Sequence, residues 1–178
     1  MRIIKKEWSS GFTLIELVIV FSVLAILSVI SVASFVSYSR SQAINNDAKS
    51  IITIINQAKS NASSQVKPSV CSGKVLNGYS VSFILSNPKN VYKLNVVCSN
   101  TESVLSTYRL SSAITFDTTA VTGTTMDKVF FNILNGGIKL TNSNNTLSSG
   151  QIKLRGFNNT QCRVINLAND GVITAQSC

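Results

Sequence analysis

The chain has no histidine and only two prolines in 178 residues, and acidic groups are scarce: seven Asp or Glu stand against sixteen Lys or Arg, a formal net charge of +9. Without histidine the usual general base is missing, so Ser-His-Asp and Cys-His arrangements are excluded. The carboxylates offer no substitute, because Asp117, Asp127 and Asp170 show no paired spacing and all lie near expected turns. An enzyme is therefore the weakest reading. Zinc is unsupported, since Cys71, Cys98, Cys162 and Cys178 contain no close pair and no imidazole could complete a tetrahedral set. No cofactor is expected. Charged residues make up only 13% of a chain rich in Ser, Thr and Asn, which favours strands and turns on an exported surface. The length supports one core with an appendage and hardly two full domains.

What is present is concentrated. Residues 12–36 form a nearly unbroken apolar run in which Glu16 is the only charged residue. A bilayer core takes about 20 helical residues, whereas the apolar part of a secretory signal spans about 7 to 15. The run therefore reads as a membrane span. Arg2, Lys5 and Lys6 precede it against a single Glu7, which places the N-terminus in the cytoplasm by the positive-inside tendency and the remainder on the far side of an inner membrane. Four cysteines suit that compartment, and an even count suggests two disulfides.

No helix breaker follows the apolar run. Ile44, Ala48, Ile51, Ile55, Ala58 and Ala62 recur at alternating intervals of four and three, one stripe of an amphipathic helix that continues the span to about Ser64. Pro68 and Gly73 then interrupt the pattern. The expected organisation is a leader at 1–11, a membrane-spanning helix at 12–37, its amphipathic continuation at 38–66 and a β-rich body at 67–178. The fold class is α+β, the helix packing on an antiparallel, sandwich-like body.

Within the body, Tyr79, Val81, Phe83 and Leu85 alternate with mostly polar neighbours, and a turn at 87–90 leads into a strand at 91–97. A second hairpin, 129–134 with 137–141, is expected to close through Asn135-Gly136 as a two-residue turn, setting Ile133 opposite Ile138 and Phe131 opposite Leu140. The third joins 161–168 to 172–178 through Asn169-Asp170-Gly171. With Ala168 facing Val172, Cys162 faces Cys178, and directly opposed antiparallel residues lie within disulfide reach. That favours Cys162–Cys178 and, by elimination, Cys71–Cys98, the alternative being one or more buried free thiols. Strands are also expected at 104–110, 114–117 and 151–157, and polar loops at 118–125 and 142–150.

The stretch Gly11-Phe12-Thr13-Leu14-Ile15-Glu16-Leu17 resembles the N-terminal processing signal of type IV prepilins and type II secretion pseudopilins. In that family a membrane-embedded peptidase cuts after the glycine and methylates the new amino terminus. The resemblance implies cleavage between Gly11 and Phe12, methylation of Phe12, and Glu16 as the recognised acidic residue. A lone carboxylate in a membrane helix costs about 3 kcal/mol and usually has a partner. The freed amine of Phe12 on a neighbouring subunit would supply one. Two alternatives stand beside this: Glu16 snorkelling from the headgroup region, or a plain signal anchor or signal cut near Ala33.

Gly78-Tyr79-Ser80-Val81-Ser82-Phe83, Ser86-Asn87-Pro88, Phe130-Phe131-Asn132 with Gly136-Gly137-Ile138, and Gly171-Val172-Ile173 look similar to the GspH/FimT group of minor pilin-like proteins. The resemblance implies a minor subunit of a type IV pilus or a type II secretion pseudopilus, with a prepilin peptidase, other subunits and the inner membrane as partners. Some related pilins bind DNA in natural transformation. Without residues 1–11 the chain keeps 13 basic and 6 acidic residues, or +7, and Lys139, Lys153, Arg155 and Arg163 on expected strands are the candidate phosphate contacts. The plainer reading is a set of scattered solvated cations, since no dense basic cluster occurs. The Asn-x-Ser/Thr triplets at Asn61, Asn144 and Asn158 receive no role.

Overall fold

The computed structural model describes residues 11–118, 124–133, 137–143 and 145–178, the side chains at 29–31 and 33 excepted. The chain divides into two compact units, Met1–Ser39 and Arg40–Cys178. One helix, α1 (Leu14–Ser63), supplies the described structure of the first unit from Leu14 onward and opens the second. No Gly or Pro occurs along it to break the hydrogen-bond ladder.

In the first unit, two serines inside the apolar run are satisfied by the helix itself: the Ser22 and Ser28 hydroxyls donate to the carbonyls of Ile19 and Leu24, each at 2.7 Å. Its described apolar side chains are exposed, among them Leu14, Ile15, Phe21 and Ile26. Among the described residues no helix is long and apolar enough to cross a membrane. The expected span at 12–36 contains 29–31 and 33 and so lies partly outside that description.

The second unit begins with the amphipathic half of α1. All six residues of the predicted stripe are at most 3% exposed. Each fully buried Ile contributes about 1.5–3 kcal/mol, so the stripe is a principal attachment of the helix to the body. Beyond Ser63 the chain turns through Gln65 at φ 50°, and the Tyr79 hydroxyl donates to the Val66 carbonyl, tying the end of the helix to the first strand.

Among the described residues ten strands follow: β1 (Leu76–Ile84), β2 (Val91–Cys98), β3 (Thr101–Arg109), β4 (Ile114–Asp117), β5 (Lys128–Asn132), β6 (Ile138–Asn142), β7 (Asn145–Leu147), β8 (Ser149–Gly156), β9 (Gln161–Ala168) and β10 (Ile173–Ser177). They form a six-stranded sheet ordered β3-β2-β1-β5-β6-β7 and a four-stranded sheet ordered β10-β9-β8-β4, and every strand pairing is antiparallel. A single apolar core joins Ile51 and Ile55 of α1, Tyr79, Val81 and Leu94 of the larger sheet, and Ile152, Leu154 and Ile165 of the smaller one. The fold is thus α+β, and the second half of α1 belongs to the same unit as the strands. The β2–β3 ladder carries a bulge between Leu94 and Asn95.

The first and third hairpins follow the sequence expectation: Ile84 pairs with Val91, and Leu167 with Ile173. Gly171 takes the left-handed φ of 82° that the third turn requires. The second hairpin does not. Phe131 pairs with Ile138 and Val129 with Leu140, a slip of two residues from the expected register. Ile133 has no place in the ladder, and its N–H donates to the Asn77 carbonyl at 3.3 Å. A slip of two keeps every side chain on its expected face, so alternation alone does not distinguish the registers. The pairing of Tyr79 with Phe131 and Val81 with Val129 anchors β5 instead. The Asn135-Gly136 turn lies outside the described residues. The expected polar loop at 142–150 is also corrected, since β7 occupies Asn145–Leu147 and β8 begins at Ser149. Of the loop at 118–125, residues 119–123 lie outside the description, while Thr125 forms a parallel bridge with Gln151.

Both expected disulfides are present, Cys71–Cys98 and Cys162–Cys178, each with Cα atoms 5.6 Å apart. Their surroundings differ: Cys71 and Cys98 are 0% and 2% exposed, whereas Cys178 lies in the open at the end of β10. Thiol–disulfide exchange needs access to a sulfur. Stepwise dithiothreitol treatment with alkylation and peptide mapping is therefore expected to open Cys162–Cys178 well before Cys71–Cys98. The reverse order would contradict the burial described here.

Candidate functional site: the N-terminal segment and the surface cations

Gly11, Phe12 and Thr13 precede α1 in non-helical conformation, and all three are exposed, Phe12 by 81%. Thr13 starts the helix. Its Oγ1 accepts the Glu16 N–H at 3.3 Å, and its carbonyl accepts the Leu17 N–H at 3.2 Å, the first helical hydrogen bond. Thr-x-x-Glu is the capping-box pattern, and a carboxylate in the first turn is favoured by the positive end of the helix dipole. The local chemistry thus leaves the Gly11–Phe12 bond in an exposed, non-helical approach to the helix and places Glu16 in its first turn. A processing enzyme can reach such a bond without unwinding the helix. Arg2, Lys5, Lys6 and Glu7 lie outside the described residues.

The four candidate phosphate-contacting cations are not equivalent. Lys139 on β6 is exposed. Lys153 on β8 is only 5% exposed, and its Nζ lies 3.2 Å from Asp117 Oδ2. Arg155, two residues on, places Nε 2.7 Å from the same oxygen. Arg163 on β9 donates from Nε to Asn45 Oδ1 at 2.5 Å and from a terminal nitrogen to Ser177 Oγ at 2.7 Å. Lys139 is thus the open member of the four, while Lys153 and Arg155 share one carboxylate and Arg163 braces α1 and β10 against β9.

The alternation pattern also concealed a polar cluster on the outer face of the larger sheet. Ser80 and Asn95 are nearly fully buried, and Asn95 Nδ2 donates to Ser82 Oγ and to Glu102 Oε1, each at 2.9 Å. Lys128 Nζ lies 2.7 Å from Glu102 Oε2, and the Ser80 hydroxyl donates to the other carboxylate oxygen. Burial alone would raise the Glu102 carboxyl, but the hydrogen bonds from Lys128, Ser80 and Asn95 and the Lys128 charge outweigh it and hold the group below its ordinary value. The signal in the sequence was the run of small polar residues at Ser80 and Ser82 facing Asn95 across the first hairpin.

Phe157, Asn158 and Asn159 are three consecutive residues with left-handed backbone, at φ 53°, 57° and 67°. Left-handed conformation disfavours a bulky side chain by about 1–2 kcal/mol. The Phe157 ring is held beneath the guanidinium of Arg40, 5.6 Å from its centroid, which offsets part of that cost.

No curated protein and no solved structure matches the chain. Residues 9–32 match the family model described as the prokaryotic N-terminal methylation motif, a segment that includes Gly11, Phe12 and Glu16. This prepilin-type motif supports the class of type IV pilin-like and pseudopilin subunits.

Proposed function

We propose that the chain is a structural, minor subunit of a type IV pilus or type II secretion pseudopilus. A prepilin peptidase cuts it between Gly11 and Phe12 and methylates Phe12. Residues 12–36 hold it in the inner membrane with the N-terminus in the cytoplasm, and the sandwich-like body is exported. Glu16 pairs with the Phe12 amine of a neighbour as the subunits stack. Its role is architectural rather than catalytic.

The observation that carries this reading is the joint placement of Gly11 and Phe12 in an exposed non-helical stretch and Glu16 in the first helical turn, within the matched motif. The absence of a helix breaker through Ser63 supports it further, because a filament core built from helices needs a continuous one. Two disulfides in the body suit a protein that works outside the cytosol. Mass spectrometry of the membrane-extracted protein tests the proposal. The expected species begins at Phe12 and carries one additional methyl group, and a protein that keeps Met1 through Gly11 would exclude it.

A further inference from the structure

The second unit holds thirteen Lys or Arg and five Asp or Glu. Each of the five carboxylates already accepts a hydrogen bond or ion pair within its own body. Glu102 and Asp117 receive the cations described above. Asp47 accepts from the Ser111 N–H at 2.9 Å and the Ser111 hydroxyl at 3.2 Å. Asp127 accepts from Thr141 Oγ1 at 3.1 Å and the Ser143 N–H at 2.7 Å, and Asp170 from the Val172 N–H at 2.9 Å. The cations are not matched in this way. Neither Lys49 nor Arg109 forms an ion pair among the described residues, and both are exposed.

Lys49 and Arg109 line the same cleft of about 580 Å³, where the second half of α1 runs beside β2 and β3. Ser50 and Thr53 contribute the helix side, and Tyr108, stacked on Tyr92 at 5.3 Å between ring centroids, contributes the sheet side. The only carboxylate in the lining is Asp47, already turned to Ser111. Burial, reinforced by Asp47 and Tyr108, pushes the Tyr92 hydroxyl up to about 12, so it remains neutral and adds no negative charge. β3 is the outer strand of its sheet, so its free edge is open to a neighbour. The cleft thus combines two cations that form no ion pair among the described residues, Lys49 and Arg109, with Tyr108, and Arg and Tyr are residue types that supply much of the energy at protein interfaces.

We infer that this cleft is a docking site for a carboxylate-bearing segment of a different, acidic subunit, and that it does not accept a second copy of this chain. The second unit of a second copy would bring thirteen basic residues against five acidic ones, each of the five already engaged within that unit, and like charges facing each other across an interface cost several kcal/mol. An acidic neighbour meets Lys49 and Arg109 with opposite charge. The inference rests on the filament-subunit reading and deepens it, since a chain that cannot pack on itself enters a filament beside other subunits, in low copy.

The test is site-specific photocrosslinking of the full chain in its native cell, with p-benzoylphenylalanine in place of the exposed Thr53 at the cleft. The expected product joins this chain to a different protein through a peptide that contains Asp or Glu. Its yield is expected to fall about tenfold or more in K49E/R109E and to persist in the control K93E/K139E, whose reversals lie on the outer face of the larger sheet. A homodimeric product, a lipid or nucleic-acid adduct, a product unaffected by K49E/R109E, or no product from a correctly processed chain would each overturn the inference. The mass of the same preparation separates the two levels: an uncut N-terminus refutes the filament reading, whereas a chain beginning at Phe12 without the acidic crosslink refutes the docking site alone.

Discussion

Asp117→Asn is expected to lower the stability of the body by about 3–5 kcal/mol, the cost of leaving a buried charge without its partner. The Lys153 side chain is 6% exposed and that of Asp117 14%, so neither charge has much water to fall back on. Asp117 and Lys153 are also directly paired across β4 and β8, and the four-residue β4 has few other ties to its sheet. Asparagine keeps the shape and removes the charge, which isolates the electrostatic contribution. Urea unfolding of the purified chain, followed by circular dichroism, measures it. The companion variant Asp117→Asn with Lys153→Met is expected to recover most of the loss, because it removes the stranded ammonium along with the carboxylate. A loss below about 1 kcal/mol in the single variant would place the pair in the solvent-screened class and contradict its burial.

Glu16→Gln is expected to uncouple processing from assembly. Gly11 and the exposed, non-helical approach through Phe12 are unchanged, so on the proposed reading the chain should still lose residues 1–11. What the variant removes is the carboxylate proposed to pair with a neighbour's amine. An unpaired charge in a membrane helix costs about 3 kcal/mol, and removal of its partner should therefore disfavour subunit addition by about a hundredfold. The measurement compares the processed protein in sheared filaments with that in the membrane fraction. Full incorporation of the variant would assign Glu16 to helix capping alone, a role that the Thr13 hydroxyl already supports through the Glu16 backbone N–H.

Much of the body was legible because its elements satisfy two patterns at once. The stripe from Ile44 to Ala62 has helical spacing and no competing turn residue, and every member is buried. In the third hairpin the Gly171 turn and the positions of Cys162 and Cys178 specify the same register. The second hairpin had only alternation and a turn dipeptide, and alternation is blind to a slip of two. Its register depends on β1, distant in sequence, where Val81 pairs with Val129. Lys153 lies between the buried Ile152 and Leu154 and is itself only 5% exposed, because both faces of β8 are covered. The segment around Met126 lies along that strand, with the Met126 N–H donating to the Gln151 carbonyl at 3.0 Å. A loop laid on a strand has no periodicity to betray it. At the N-terminus the position was reversed: Gly11, Phe12 and Glu16 stood out through resemblance to a family motif, and a motif of this kind is matched locally and owes little to distant contacts.

The bulge between Leu94 and Asn95 bears on what β3 presents to its surroundings. A flat outer strand is a template onto which any extended chain can add. The extra residue increases the local twist of β3, and a charge near each end, Glu102 and Arg109, makes a straight run of backbone pairing harder to extend. For a body that packs beside others, that irregularity would separate selective seating of one neighbour from indiscriminate sheet growth. A straightened β3 would be the first place to look for aggregation of the body.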